Sequence, residues 1–207
     1  MTRSFSFCAT ICLSLFCQVV VEAGTIFSNL GTGGAFNSAS SWTIQEGYPV
    51  AFGFTASATE TFTSLKLAVG SFNGSTGKAF LATDNSGAPG ITLASWSFAV
   101  PVSSQGSLVT LDYPANQTPV ILSEGTEYWV YLDDATSANY YWLVNSTGYV
   151  GPKSGYNGST WLSVSYGTPA AFEVDGVNTV PEPSTFGMVV ISVVCLGILK
   201  RSHHNIK

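Results

Sequence analysis

The chain has 207 residues, of which 45% are hydrophobic and only 9% charged, and its formal net charge is −5 at pH 7. Residues 24–180 contain no cysteine and no histidine, which excludes a disulfide framework, a Cys or His metal site, a Ser-His-Asp triad and a Cys-His pair from that stretch. The same stretch has three lysines, Lys66, Lys78 and Lys153, and ten carboxylates, so we expect no nucleic-acid partner. Because the usual catalytic residues are missing, we also expect no enzymatic activity.

The first 23 residues have the pattern of a secretory signal peptide. Arg3 supplies the positive start, and an apolar stretch follows it. Val21 and Ala23 are aliphatic or small residues at positions −3 and −1 before Gly24. We therefore predict export by the Sec machinery and cleavage between Ala23 and Gly24. A buried N-terminal helix or strand is the alternative.

Residues 24–177 are predicted to form one all-β domain. Apolar or alternating runs rich in Val, Thr, Tyr, Phe and Trp recur between clusters of turn residues, and no window shows helical periodicity over three turns. About nine or ten strands at this spacing favour an antiparallel β-sandwich of jelly-roll or immunoglobulin-like kind. The runs are YPVAFGFTA, FTSLKLAVG, KAFLATD, ITLASWSFAV, SLVTLDY, PVILSEGTEYWVYLDD, NYYWLVN, TWLSVSY and AAFEVDG.

The glycine-rich stretch at residues 70–80, GSFNGSTGKAF, does not meet the spacing of a phosphate-binding loop. Phe72 stands where the first glycine should be, and Ala79 stands where Ser or Thr would bind magnesium. The Ser75 and Lys78 spacing of some acyl transferases lacks its companion motifs. We predict a hairpin turn here.

A second local pattern concerns Tyr128. Leu122, Gly125 and Tyr128 stand in an L-x-x-G-T-x-Y arrangement within LSEGTEYWVYL. This arrangement is similar to the tyrosine corner of Greek-key sandwiches, in which a Tyr hydroxyl bonds to the backbone a few residues upstream. The pattern favours a structural role for Tyr128 over a ligand contact.

Asp133 and Asp134 are the only adjacent carboxylates in the predicted domain. Neighbouring residues of a strand face opposite ways, so this pair does not form a glycosidase acid and base. At a strand end the two could ligate calcium together with nearby carbonyls, but no spaced Asp/Asn loop motif supports this. They are the weak candidate for a metal site, and we predict no metal and no cofactor.

The aromatic residues allow two interpretations. Indole and phenol rings can stack on the C–H faces of sugars, but they also dominate protein cores. The run NYYWLVN is apolar on both faces, which is typical of a central strand in a sandwich, so a core role is favoured. The tryptophans concerned are Trp42, Trp96, Trp129, Trp142 and Trp161.

The chain ends in an apolar run and a basic tail. Residues 186–199 are apolar over 14 positions, which as a helix span roughly 21 Å, less than the roughly 30 Å of a hydrocarbon core. Lys200 and Arg201 follow, so the positive-inside rule keeps the tail at 200–207 in the cytoplasm. We predict a weak transmembrane anchor at 185–199 that holds the exported precursor in the inner membrane.

A linker at residues 178–184 precedes this anchor and carries a Pro-Glu-Pro triplet. Its two prolines prevent the helix from continuing and hold the chain extended, as a processing enzyme requires. The candidate sorting motif is Val180, Pro181, Glu182, Pro183 and Ser184.

The motif, the short apolar helix and the basic end resemble the PEP-CTERM sorting signal of exopolysaccharide-producing Gram-negative bacteria. His203 and His204, with the few residues beyond them, are a mild departure from the pattern. The resemblance implies processing by an exosortase, a membrane cysteine protease. SNLG, DNSGAPG and LSEGTEYWVYL resemble segments of the choice-of-anchor (R-type) domains found with such tails. That resemblance implies a β-sandwich ectodomain and no established activity.

Together these features predict an exported protein whose precursor is anchored in the membrane and whose mature form is at the cell surface or extracellular. We expect a structural or adhesive role in association with extracellular polysaccharide. The alternative is a carbohydrate-binding module that recognises one glycan through exposed aromatic rings.

Overall fold

The computed structural model describes residues 23–135, 139–162 and 164–178, which form thirteen β-strands and no helix. All of these strands belong to one compact unit, Glu22–Thr179. The strands are β1 (Ala23–Ser28), β2 (Phe36–Ile44), β3 (Val50–Thr55), β4 (Glu60–Gly70), β5 (Ser75–Asp84), β6 (Pro89–Val100), β7 (Ser107–Asp112), β8 (Ile121–Leu122), β9 (Glu127–Asp134), β10 (Tyr140–Asn145), β11 (Gly151–Gly155), β12 (Ser165–Gly167) and β13 (Phe172–Val177).

The strands form two sheets, consistent with a β-sandwich. One sheet has seven strands in the order β1-β13-β4-β10-β2, with β7 and β8 also paired to β4. Leu65 of β4 is in register with Val174 of β13 and with Leu111 of β7, so β13 and β7 flank β4 on opposite edges. The other sheet has six strands in the order β12-β11-β3-β9-β5-β6. The described strand pairs are antiparallel, as the alternating sequence pattern predicts.

The main core lies between the two sheets. Phe52 of the six-stranded sheet meets Trp142 of the seven-stranded sheet with ring centroids 5.1 Å apart, and Phe54 meets Phe172 at 5.9 Å. These four side chains are at most 1% exposed. As its two apolar faces predict, β10 is an interior strand between β4 and β2. The domain is therefore held by apolar packing, the dominant favourable term in folding.

The predicted hairpin after β4 is wrong. Strands β4 and β5 belong to different sheets, so residues 71–74 carry the chain from one sheet to the other. Gly74 makes this crossing with a φ of 79°, and its N–H donates to Ser71 Oγ at 3.0 Å. A residue pattern of period two predicts that a strand follows a turn, but it does not say which sheet the strand joins.

Several strands are absent from the predicted set. β1, β2 and β11 were not predicted because their small and polar residues, such as FNSASSWTI in β2, give a weak apolar alternation. In the predicted run TWLSVSY, only the last two residues, Ser165 and Tyr166, belong to a strand, which is β12. Trp161 of the same run makes an isolated bridge to Tyr156. In both cases pairing with a neighbouring strand, and not local composition, decides the structure.

The described residues include no helix long and apolar enough to cross a membrane. The predicted signal peptide, except Ala23, and the predicted anchor at 185–199 lie outside those residues.

Candidate functional site

A second, smaller apolar cluster lies on the outer face of the six-stranded sheet. Along β9, Tyr128, Val130 and Leu132 belong to the main core, whereas Trp129 packs with Ala51 and Ala82 in a separate cluster. Trp129 is 0% exposed although it faces away from the main core. At Trp129 the outer face of this sheet is therefore covered, which is unusual for the solvent side of an antiparallel sheet.

Four aromatic rings run across this outer face, and we call them the aromatic strip: Phe80, Tyr131, Trp161 and Tyr156. Phe80 and Tyr131, which are in register on neighbouring strands, stack with centroids 4.4 Å apart and planes 9° apart. Trp161 meets Tyr131 at 5.3 Å and 71°, and Tyr156 meets Trp161 at 5.4 Å and 68°. The strip is thus a continuous chain of ring contacts in favourable geometries.

Small residues under the strip bring Trp129 close to the sheet. A Cβ added at Gly53 would lie 3.3 Å from Trp129 Cζ2 and 2.6 Å from Pro152 Cγ, so no larger residue fits without movement. The Trp129 indole N–H donates to Asp84 Oδ1 at 2.8 Å. Trp129 is therefore a buried support for the strip and not an exposed contact residue.

The segment after β11 supplies two rings of the strip and is fixed by hydrogen bonds. Asn157 Oδ1 accepts the backbone N–H groups of Ser159 and Thr160, each at 3.0 Å. Ser154 Oγ donates to the Leu162 carbonyl at 2.8 Å, which holds the segment against the sheet. Side chains on such a segment keep a defined position, as a binding surface requires.

The turn between β5 and β6 faces this segment. Asn85 N–H donates to the Ala88 carbonyl at 2.8 Å, and Gly87 N–H donates to Asp84 Oδ1 at 3.0 Å. Ser86 and Gly87 have φ values of 57° and 86°. The same Asp84 carboxylate oxygen accepts both the Gly87 N–H and the Trp129 indole N–H. The Asp84 side chain therefore links the turn to Trp129, the residue that supports the strip.

A cleft with a volume of about 460 Å³ lies between that turn and the segment after β11. Its lining has no charged residue, and it combines rings, aliphatic carbons, hydroxyls and an amide. This volume lies within the roughly 300–1,000 Å³ typical of small-molecule sites. The lining residues are Asn85, Ser86, Gly87, Ala88, Pro89, Tyr156, Ser159, Thr160, Trp161, Leu162 and Val164.

Burial raises the pKa values of two side chains on this face, Glu127 and Tyr131. Burial raises the pKa of the Glu127 carboxyl, and the nearby Asp84 carboxylate adds to this effect. Burial also raises the pKa of the Tyr131 hydroxyl, which lies 3.2 Å from Thr92 Oγ1. A tyrosine with a raised pKa stays neutral at physiological pH, so the strip itself carries no charge.

The outer face of the seven-stranded sheet carries an apolar cluster of its own, formed by Ala68, Leu143 and Ala171, and beside it a group of charged and polar residues. Lys66 of β4 pairs with Glu173 and with Asp175 of β13, the latter at 3.0 Å, and Ser64 Oγ donates to Asp175 Oδ2 at 2.8 Å. We call these four residues the paired-charge face. The pKa of the Lys66 ammonium is raised, and the hydrogen bond from Lys66 to Glu173 is the largest cause of this shift.

The residues of the predicted tyrosine corner lie together at the start of β9. The Tyr128 hydroxyl accepts the backbone N–H of Ser123 at 3.0 Å, and Leu122 is fully buried. Gly125 has a φ of 73°, and its N–H donates to the Ala56 carbonyl at 2.9 Å. The hydrogen bond at the hydroxyl is the contact on which the predicted role of Tyr128 depends, and it is tested below.

The two adjacent aspartates diverge. Asp134 is 1% exposed and its Oδ1 accepts from Ser75 Oγ at 3.1 Å. Asp133 lies on the other side of β9 and its Oδ1 accepts the Gly47 N–H at 3.1 Å and the Asp134 N–H at 2.9 Å. In residues 23–135, 139–162 and 164–178, no group of three or more His, Cys, Asp or Glu side chains could hold a metal ion.

The processing residues are only partly within the described ranges. Ala23 and Gly24 are the first two residues of β1, paired with Val177 and Gly176 of β13. The sorting motif, Val180 to Ser184, and the stop-transfer residues Lys200 and Arg201 lie outside the described residues.

The sequence did not bring the aromatic strip together. Tyr131 and Phe80 were not named, although EYWVYLDD in β9 alternates two apolar sets, one on each face. The outward-facing residues of β9, Trp129 and Tyr131, are aromatic although the inward-facing residues are already apolar, and this pattern could have indicated an apolar outer face. The position of Trp161 over Tyr131 depends on the fold of residues 156–162, which no local pattern encodes.

No family model matches the chain, and no curated protein and no solved structure matches it either. The chemistry of the site therefore carries the functional conclusion.

Proposed function

We propose that this protein is exported, is sorted through its C-terminal segment, and associates with extracellular polysaccharide as a structural or adhesive component. The observation that carries the polysaccharide association is the aromatic strip on the outer face of the six-stranded sheet, together with the uncharged cleft beside it. Neutral polymers rich in hydroxyl and C–H groups are the macromolecules that such a face suits.

The sorting part of the proposal rests on the order of features in the tail. A Pro-Glu-Pro triplet precedes an apolar run too short to anchor firmly, and basic residues end it. A permanent anchor would not need the triplet. We propose that the precursor, with a signal peptide at 1–23 and one transmembrane helix at 185–199, is cut by an exosortase near Pro183. The ectodomain is proposed to be a jelly-roll or immunoglobulin-like sandwich of choice-of-anchor type.

Intact-mass measurement of protein from the cell surface or medium tests the sorting proposal. In a host that carries an exosortase, we expect a mature species that lacks residues 186–207. Glu182→Ala should leave export intact while full-length precursor accumulates in the inner membrane. A mature species that retains Lys200–Lys207 would leave a plain one-helix anchor instead.

A specific carbohydrate-binding module is the second candidate function. The cleft beside the strip favours it, because a bounded pocket selects one sugar whereas an open face accepts many. A structural role and a module differ in selectivity: the module prefers one glycan on an array, and the structural protein binds host matrix without such a preference.

A further inference from the structure

We infer that the cleft between residues 85–89 and residues 156–162 with Val164 binds a single neutral pyranose unit, with Trp161 as the stacking ring. This inference rests on the proposed association with polysaccharide and names the site and the class of sugar. It is argued from the charge of the cleft, the position of the indole and the side chains around it.

The absence of charge in the cleft selects the ligand class. None of its eleven lining residues is acidic or basic. A phosphate, a sulfated sugar or a uronic acid would be desolvated there without a cation, and a metal ion would lack carboxylate ligands. A neutral hexose meets neither penalty.

Trp161 is the ring of the strip that is best placed to stack on a sugar. Phe80 and Tyr131 cover each other, with planes 9° apart. By contrast, Tyr131 and Tyr156 both meet Trp161 at steep angles, 71° and 68°, so neither lies parallel to the indole. Trp161 lines the cleft and is half-buried, which leaves part of it accessible.

Polar side chains at the rim supply hydrogen bonds for hydroxyl groups. Within the described part of the chain, the side chains of Asn85, Ser86 and Thr160 make no hydrogen bond, and all three residues are exposed at the cleft. Hydroxyls and an amide both donate and accept, which matches the hydroxyls of a sugar. A ring for the C–H face and polar groups for the edge together fit one pyranose.

Calorimetric titration of the compact unit Glu22–Thr179 tests the inference. All described strands and all three apolar clusters lie inside this unit, so it contains its own core. The probes are the methyl glycosides of glucose, galactose, mannose and N-acetylglucosamine, with methyl glucuronide as the anionic comparison. We expect saturable binding of at least one neutral glycoside, and binding of the glucuronide at least tenfold weaker.

Variants separate the cleft from the rest of the surface. Trp161→Ala should weaken binding about tenfold, the loss of one good aromatic contact. Thr160→Ala, which removes a side chain with no hydrogen bond of its own, should weaken binding without affecting folding. Tyr48→Ala removes a ring that is 55% exposed outside the cleft and should leave binding unchanged. If Trp161→Ala does not fold, Thr160→Ala decides.

The inference falls if no neutral glycoside binds, if the glucuronide binds best, or if neither cleft variant weakens binding. The proposed function is judged separately, by co-sedimentation of the same unit with host polysaccharide. Co-sedimentation that survives both cleft variants would keep the proposed function and remove this site. Glycoside binding without co-sedimentation would keep the site and remove the proposed function.

Discussion

The outer face of the seven-stranded sheet and that of the six-stranded sheet each carry a small apolar cluster, but among the described residues ion pairs occur only on the first. On the first, Lys66 reaches two carboxylates of the neighbouring strand, the arrangement expected on the solvent side of a sandwich. On the second, Trp129 is completely buried and aromatic rings continue past it to a cleft. The main core lies between the two sheets and does not include the side chains of either outer face.

We interpret the difference between the two outer faces as one between residues that folding requires and residues that the proposed function requires. The ion pairs of Lys66 are partly solvated, and partly solvated pairs contribute little to stability, so the paired-charge face needs no role beyond folding and solubility. An aromatic outer face must be covered, and here residues 156–162 cover it only in part.

The first prediction tests whether the outer aromatic cluster is a second core. Trp129→Ala should destabilise the compact unit by about 3–5 kcal/mol, because it empties a fully buried indole site and leaves Asp84 without its indole partner. Urea denaturation measures this change. Trp142→Ala in the main core is the matched control and should cost a similar amount. A loss below about 1 kcal/mol for Trp129→Ala alone would show that the outer cluster is not core-like.

The second prediction concerns the hydroxyl oxygen of Tyr128, which lies on the core side of β9. Tyr128→Phe should destabilise the unit by about 1 kcal/mol, because the Ser123 N–H loses its acceptor while the ring stays packed. Phe54→Leu, which alters the ring beside Tyr128 and keeps its hydroxyl, is a control for packing. An unchanged denaturation midpoint in Tyr128→Phe would end the tyrosine-corner interpretation.

The third prediction addresses the paired-charge face. Lys66→Met should change stability by no more than about 1 kcal/mol at neutral pH, since the pair is partly solvated. The pKa of Lys66 is raised above its ordinary 10.5, so its contribution is present below that pH and is lost as pH rises through the folded-state pKa. Denaturation at neutral and alkaline pH, in wild type and Lys66→Met, measures both effects. A loss as large as that of Trp129→Ala would erase the contrast between the two faces.

The smallest expected effect is a pH dependence from Glu127. Its folded-state pKa is raised by burial, so the folded state resists ionisation after the unfolded chain has ionised. Stability should therefore fall as pH rises from about 4.5 through that raised pKa, and Glu127→Gln should lack this component. Denaturation midpoints across the acidic range give the difference between the two proteins. Parallel curves would show that the pKa of Glu127 is not raised by folding.

The sequence was sufficient for the fold class but not for the site. Runs such as FTSLKLAVG predict their strands because burial of alternate residues dominates there. β2 and β11 were missed because their stability comes from pairing with neighbours. The crossing at residues 71–74 was missed because turn chemistry does not encode the sheet to which a strand returns.

The aromatic strip could be predicted only in part. β9 alternates aromatic residues on both faces, so an apolar outer face was within reach of the sequence. The contact between Tyr131 and Trp161 joins residues far apart in the chain, through a segment held by side-chain hydrogen bonds. Such a contact follows from tertiary structure and not from any local pattern.

The central proposal is that the domain holds extracellular polysaccharide through its aromatic strip and the uncharged cleft beside it, and not through its charges. Co-sedimentation of the compact unit Glu22–Thr179 with purified host polysaccharide, at about 0.1 M and about 1 M salt, tests this most directly, because salt screens ionic contacts and spares apolar ones. We predict saturable co-sedimentation that is equal at both salt concentrations and unchanged in Lys66→Met. No co-sedimentation, or co-sedimentation that disappears at the higher salt concentration, would contradict the claim.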